Sequence, residues 1–187
     1  MSSILASFAT NFIFMKSKQV DIYSFFFMAA FALLFKVFYS YADNDNLQFI
    51  LLPTNMVIEF FIHQKAVYSN ESGFFYPNLK IAIDKYCAGL NFYLIALLAS
   101  FLTLVVNCES TKRKIVLFLF LTIICFVLTI FANVARILSA ICIFQLPFAW
   151  LKSNWLHEAQ GTFIYLTILL SFYTLLIVLQ KKYTFGN

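Results

Sequence analysis

Apolar residues run through this chain in long blocks, and polar residues gather between them. Ile22 to Tyr41 is one block of about 20 residues, enough to cross a bilayer core of about 30 Å as a helix. Leu90 to Val106 is a second, Ile115 to about Ala132 a third, and Thr162 to Leu179 a fourth. Three stretches fit less simply. Leu47 to His63 is apolar but carries Gln48, Pro53, Asn55 and Glu59, so it either crosses the membrane or lies in it as a kinked helix. Leu138 to Phe148 is short and ends at Pro147. Ile4 to Met15 is too short to span, and its basic residues follow rather than precede it. It therefore reads as an interfacial or half-inserted helix, not a cleavable signal peptide.

Between Val67 and Tyr86 the pattern changes. Gly73, Pro77 and Asn78 are turn signals, flanking Gly73–Tyr76 and Leu79–Asp84. The second of these alternates with period two, which predicts a β-hairpin leading into Cys87. The expected fold is an all-α polytopic membrane protein. It is a helical bundle with four clear transmembrane helices, two or three re-entrant, interfacial or additional helices, and a small β-hairpin on the outer face. Residues 1–187 form a single integral-membrane domain without internal repeats.

Composition agrees. The 187 residues are 63% hydrophobic, 20% aromatic and only 11% charged, whereas a soluble domain is nearer half apolar and about a quarter charged. Such a chain cannot cover a water-facing globule. The net charge of +5 does not point to nucleic acid, because the cations cluster beside apolar blocks. Lys16 and Lys18, Lys112 to Lys114, and Lys181 and Lys182 mark cytoplasmic ends. That orientation keeps Leu47–His63 in the outer half or re-entrant. Asp43 to Asn46 becomes an acidic outer loop, Lys36 snorkels to the interface, and Trp150 and Trp155 lie at the interface. It also brings Cys87, Arg136 and His157 to the outer ends of their segments.

Those three side chains form a chemical set. A thiolate is the reactive form of cysteine and needs a positive neighbour or a general base near neutral pH. His157 has the chemistry of that base, and later of the acid that protonates a leaving amine. Arg136 is always charged and suits an oxyanion, a carboxylate or a backbone carbonyl. Gly89 lets backbone approach a ligand closely. With a helix starting at Cys87, Asn91 lies one turn below it and the helix N-terminus favours thiolate. Asn133 shares a helix face with Arg136 and is placed to orient the guanidinium, and Gly161 relieves crowding beside His157.

Each residue alone has a plainer explanation. A cysteine at a span boundary is usually structural, and an arginine there is usually an interfacial anchor. A lone histidine near two tryptophans, such as His157, is often interfacial; the other histidine, His63, is read as interfacial. Of the four cysteines only Cys87 has a polar, open context; Cys125 reads as a small buried hydrophobe. Cys87, His157 and His63 lack the close ligand pair of a metal site, and no cofactor is expected. The joint placement of Cys, Arg and His on one membrane face is what favours catalysis.

Cys87-Ala88-Gly89, Asn133-x-x-Arg136-Ile137 and His157-x-x-x-Gly161, in this order at the outer edges of spans, resemble the exosortase/archaeosortase family. The small size, Leu51-Leu52-Pro53-Thr54 and the block Ile83 to Phe92 look most like the exosortase K subgroup. The resemblance covers the chain from about Leu47 onward. It implies a multi-pass enzyme of the bacterial cytoplasmic (inner) membrane with its Cys–Arg–His site on the outer side. The implied substrate is a membrane-anchored protein bearing a tripartite C-terminal tail: a short motif, one transmembrane helix and a basic end. For the K subgroup the motif is of Met-Ser-Glu-Pro type. Cys87 attacks the scissile carbonyl, Arg136 holds the oxyanion or the motif, and His157 protonates the leaving amine. An unknown acceptor nucleophile releases the thioester, and Gly73–Asp84 forms a lip that receives the extended motif. The partners are thus this substrate, the acceptor and the lipid bilayer. Two alternatives share the sequence: a purely hydrolytic membrane protease, and a non-enzymatic transporter or assembly subunit. Repeats and mid-membrane polar residues, which carriers tend to show, are lacking.

Overall fold

The computed structural model describes residues 22–106, 108, 110–144 and 154–184. The expected interfacial helix Ile4–Met15, the basic residues Lys16 and Lys18, and Pro147 with Trp150 lie outside the described residues. Helix α1 is Ile22–Tyr41 and α2 is Gln48–Ile62. Three short strands follow: β1 (Val67–Ser69), β2 (Gly73–Tyr76) and β3 (Ile81–Ile83). A 3-10 turn, Lys85–Cys87, leads to α3 (Leu90–Ser100), which runs on through a π-helical turn at Phe101–Val105. Helices α4 (Thr111–Phe144) and α5 (Asn154–Thr184) complete the bundle.

Four segments are long and apolar enough to cross a membrane: Tyr23–Tyr41, Lys85–Val105, Thr111–Phe144 and Glu158–Lys181. They correspond to the four expected spans. The protein is a multi-pass membrane protein of mostly helical architecture. Helix α2, at 15 residues, is about 22 Å long and too short for a bilayer core of about 30 Å. It packs on α4 at the end of the bundle that carries the sheet.

Two expectations need correction. The hairpin is a three-stranded antiparallel sheet of order β1-β2-β3, because Val67–Ser69 pairs with Gly73–Phe75 as well. Leu79 and Lys80 belong to the β2–β3 turn instead of the strand; the Leu79 N–H donates to Tyr76 O at 3.2 Å. Second, the third span does not stop near Ala132. Its helix is continuous for 34 residues to Phe144, about 51 Å, and absorbs the start of the short apolar piece. No Pro or Gly lies between Ala132 and Phe144 to break it, and the polar side chains there find partners without unwinding it.

The long α4 helix passes through two hydrophobic cores. Its stretch up to Ala132 contributes Leu121, Cys125 and Ala132 to a core shared with Met28 of α1, Phe92, Tyr93, Ala96 and Leu97 of α3, and Phe172 and Leu176 of α5. Its second half gives Val134, Ile137 and Ile141 to a core built with Ile50, Leu51 and Ile58 of α2 and Phe74, Tyr76 and Ile83 of the sheet. The changeover falls between Ala132 and Val134, at Asn133. Ala88 and Leu90 side with the sheet core, Phe92 with the other. The junction Cys87–Gly89 and the Asn133–Arg136 turn therefore meet at the seam.

Candidate active site

The nucleophile candidate sits on a turn held from several sides. Asp84 caps it: its carboxylate accepts from the Tyr86 N–H at 3.0 Å, and the Cys87 N–H donates to Asp84 O at 2.8 Å. Tyr39, from the end of α1, donates its hydroxyl to Lys85 O at 3.1 Å. Asn44, buried in the loop after α1, accepts from the Lys85 N–H at 2.7 Å and donates to Asn70 O at 2.7 Å. From the bundle side, Asn133 Nδ2 donates to Ala88 O at 2.9 Å.

Gly89 then turns the chain into α3. Its φ is +66°, a region L side chains rarely adopt. An added Cβ would lie 2.3 Å from Asn133 Oδ1. The glycine is needed so that Asn133, 1% exposed, can lie against the junction. The close approach is to a neighbouring side chain of the fold, where the sequence suggested room for a ligand.

The second half of the site is built by α4 and α5. Asn133, Arg136 and Ser139 recur every three residues along α4, and Gln160, Gly161 and Tyr165 face them from α5. The Arg136 Nη1 donates to the Tyr165 hydroxyl at 3.3 Å, and its guanidinium lies 5.5 Å from the centre of the Tyr165 ring. The Tyr165 hydroxyl in turn donates to Asn133 Oδ1. Gln160 donates to Ser139 Oγ and to Arg136 O, the latter at 3.4 Å. At Gly161 an added Cβ would stand 2.8 Å from Arg136 Nε. Gly161 thus makes room for the Arg136 side chain.

Electrostatically, Cys87 feels the charges of both Arg136 and Asp84. A guanidinium favours a thiolate and a carboxylate opposes it. Tyr39 and Tyr165 also lie within electrostatic reach of Cys87. Cys87 itself is half-buried and free of disulfide.

The predicted residues separate into three groups. Cys87, Gly89, Asn133, Arg136 and Gly161 come together. His157 lies in α5, one helical turn before Gly161, and its side chain is outside the described residues. Asn91 stands apart. Helix α3 begins at Leu90, three residues beyond Cys87, so Asn91 is not one turn below the sulfur. It accepts instead from Lys36 Nζ of α1 at 3.3 Å, which also gives Lys36 a protein partner. For the same reason Cys87 does not occupy the first turn of α3, and the helix-terminus argument for its thiolate does not hold. Nor is Cys87 the most open cysteine: Cys142 is exposed on α4, where its face is uncovered by described neighbours, while Cys125 is buried.

Sequence reasoning missed Tyr165, Tyr39, Asn44 and Gln160. Tyr165 follows Gly161 by four, continuing the spacing His157–Gly161, and that helical period was the available signal.

The family described as transmembrane exosortase (Exosortase_EpsH) matches this chain over residues 1–174. No curated protein and no solved structure matches it.

Proposed function

Because the chain belongs to the transmembrane exosortase family, we propose that it is a membrane-embedded cysteine transpeptidase that cleaves the C-terminal tripartite signal of surface-directed proteins. The observation that carries this reading is the meeting of the Cys87 turn with Arg136 at the seam between the two cores, tied through Asn133. Membership of the family supports the reaction class, and the geometry supports these residues as its site.

In the proposed reaction the Cys87 thiolate attacks the scissile carbonyl, and Arg136 stabilises the oxyanion that develops. The tetrahedral intermediate collapses, the C–N bond breaks, and the leaving amine takes a proton from His157. The product is a thioester on Cys87 and a free amine on the departing transmembrane segment. An amine or hydroxyl of the acceptor then attacks the thioester, giving up its proton to His157 and regenerating the thiolate. The short motif passes beside the sheet lip, while the substrate helix reaches the site sideways through the bilayer. The small size and the Ile83–Phe92 block support placement near the K subgroup. The basic ends at Lys112–Lys114 and Lys181 support an orientation with the site on the outer side of the cytoplasmic membrane.

The deciding experiment expresses the enzyme with a tripartite-tail reporter and identifies the reporter's new C-terminus by mass spectrometry. Wild-type enzyme is expected to give a shortened reporter carrying an adduct. A free carboxylate instead identifies a hydrolase. A correctly folded Cys87→Ala variant that still processes the reporter sinks the enzymatic reading altogether.

A further inference from the structure

We propose that Tyr165 is a positioning residue for Arg136, its hydroxyl holding the guanidinium in register with the Cys87 turn. This rests on the reading of Cys87 as nucleophile and Arg136 as its electrostatic partner. Tyr165 lies within the membrane-crossing segment Glu158–Lys181, where a phenol must find partners inside the protein. It finds two. Its single proton goes to Asn133 Oδ1, and a lone pair accepts from Arg136 Nη1. Asn133 serves both sides only in one orientation, with its oxygen toward the phenol and its nitrogen toward Ala88 O. Ala88 directly follows Cys87. Three hydrogen bonds therefore connect a permanent charge to the backbone beside the sulfur.

Packing does not account for the hydroxyl. The Tyr165 ring rests on Phe92 at 5.2 Å and lies under the Arg136 guanidinium, and a phenylalanine would make both contacts. What the hydroxyl adds is direction. The Nε and Cδ of Arg136 lie against Gly161, and the hydroxyl beyond them gives the guanidinium a hydrogen-bond acceptor that a phenyl ring would lack. Fixing an arginine costs rotamer freedom, and a directed acceptor offsets part of that cost. The two glycines of the sequence motifs flank this relay, one against Asn133 and one against Arg136.

The test needs no substrate. Full-length protein in membranes is treated with N-ethylmaleimide, and the alkylation rate at Cys87 is followed by peptide mass spectrometry between about pH 6 and 10. Cys125, buried in the bundle, reports in the same samples whether the fold is intact. Arg136→Gln is expected to move the Cys87 profile to higher pH and to slow alkylation at neutral pH about tenfold. Tyr165→Phe is expected to move it the same way, by about threefold in rate, and the double variant to match Arg136→Gln alone. A parent-like profile for Tyr165→Phe, or additive effects in the double variant, overturns the positioning role while the Arg136→Gln shift leaves the site reading standing. A parent-like profile for Arg136→Gln overturns both. Should Tyr165→Phe expose Cys125, fluorotyrosine at position 165 keeps the ring and weakens the hydroxyl as an acceptor. A shift in the same direction then supports the role, and an unchanged profile overturns it.

Discussion

The two cores of this protein satisfy most of their polar side chains in different ways. The exceptions are Thr54, which donates to Ile50 O of its own helix in the sheet core, and Ser100, which also lies 3.6 Å from Cys125 Sγ across the bundle core. In the bundle core the hydroxyls turn back on their own helices. Ser100 donates to Ala96 O, Thr103 to Ala99 O and Thr129 to Cys125 O, at 2.7–2.8 Å. Thr167, Ser171 and Thr174 do the same along α5. In the sheet core a chain of polar groups links helix α2 to the sheet and the segment before it. Tyr76 donates to Asn55 at 2.7 Å, Asn55 donates to Glu59, and Glu59 accepts from the Ala66 N–H at 3.0 Å. Burial and the nearby Glu59 push the Tyr76 phenol well above its usual pKa, so it remains a donor. Asn44 and Asn133 complete the pattern at the Cys87 turn. A hydroxyl bonded to its own helix fixes nothing beyond that helix, whereas a bond between elements fixes their relative position. The bundle core supplies span and stability, and the sheet core supplies placement. The candidate site lies where one regime gives way to the other.

The largest effect that bears on this contrast is expected at Gly89. Gly89→Ala forces a side chain into a positive φ and against Asn133. About 3 kcal/mol of local strain is expected, with reporter processing reduced a hundredfold or more. Hydrogen exchange should rise in residues 84–93, while Cys125 stays protected from thiol reagents during thermal unfolding up to nearly the parent temperature. Early exposure of Cys125 would show that the two cores do not respond separately.

Asn44→Ala comes next. It leaves the Lys85 N–H and Asn70 O without their partner, at a cost of about 2 kcal/mol. Exchange is expected to rise together at the β1–β2 turn and at Lys85–Cys87, two sites distant in sequence that Asn44 joins. A rise at only one of them breaks the claim that the loop couples the sheet to the nucleophile turn.

The bundle was the most legible part of the sequence. Four apolar blocks between basic clusters leave few alternatives, and each became a helix, the third and fourth extending well beyond their apolar blocks. The outer region was harder for a physical reason. Helix α2 is apolar enough to resemble a span, and only its length in the fold keeps it at the sheet end. The strand Val67–Ser69 is three residues long and shows no alternation that a reader can use. In the site, Cys87, Arg136, Asn133 and the two glycines stood out because polar or flexible residues are rare in apolar surroundings. Tyr165 and Tyr39 did not, because a chain with 25 Phe and 10 Tyr offers no contrast for one more aromatic. Asn44 was hidden in an acidic loop whose neighbours, Asp43 and Asp45, are solvent-facing. The misplacement of Asn91 came from starting α3 at Cys87, when the positive φ at Gly89 delays the helix to Leu90.

Gly161 separates stability from placement in one residue. Gly161→Ala adds helix propensity to α5, about 1 kcal/mol in isolation. Its Cβ also meets the Nε and Cδ of Arg136, which must shift to make room. The unfolding temperature is expected to hold or rise slightly, while processing falls about tenfold as the guanidinium is displaced. Equal losses in both measurements would mean that the site and the bundle are stabilised by the same contacts.

The smallest effect is expected at Thr129, fully buried in α4 one turn before Asn133. Its hydroxyl donates to Cys125 O, which the helix already engages. Thr129→Val keeps the branched shape and removes only this local bond, and a change within about 0.5 kcal/mol is expected, with processing unaltered. The measurement is thermal exposure of Cys125 in detergent, beside reporter cleavage in membranes. A loss near that of Asn44→Ala would show that the self-bonded hydroxyls also tie helices together. The boundary between the two regimes would then lie below Asn133, on the bundle side of Thr129.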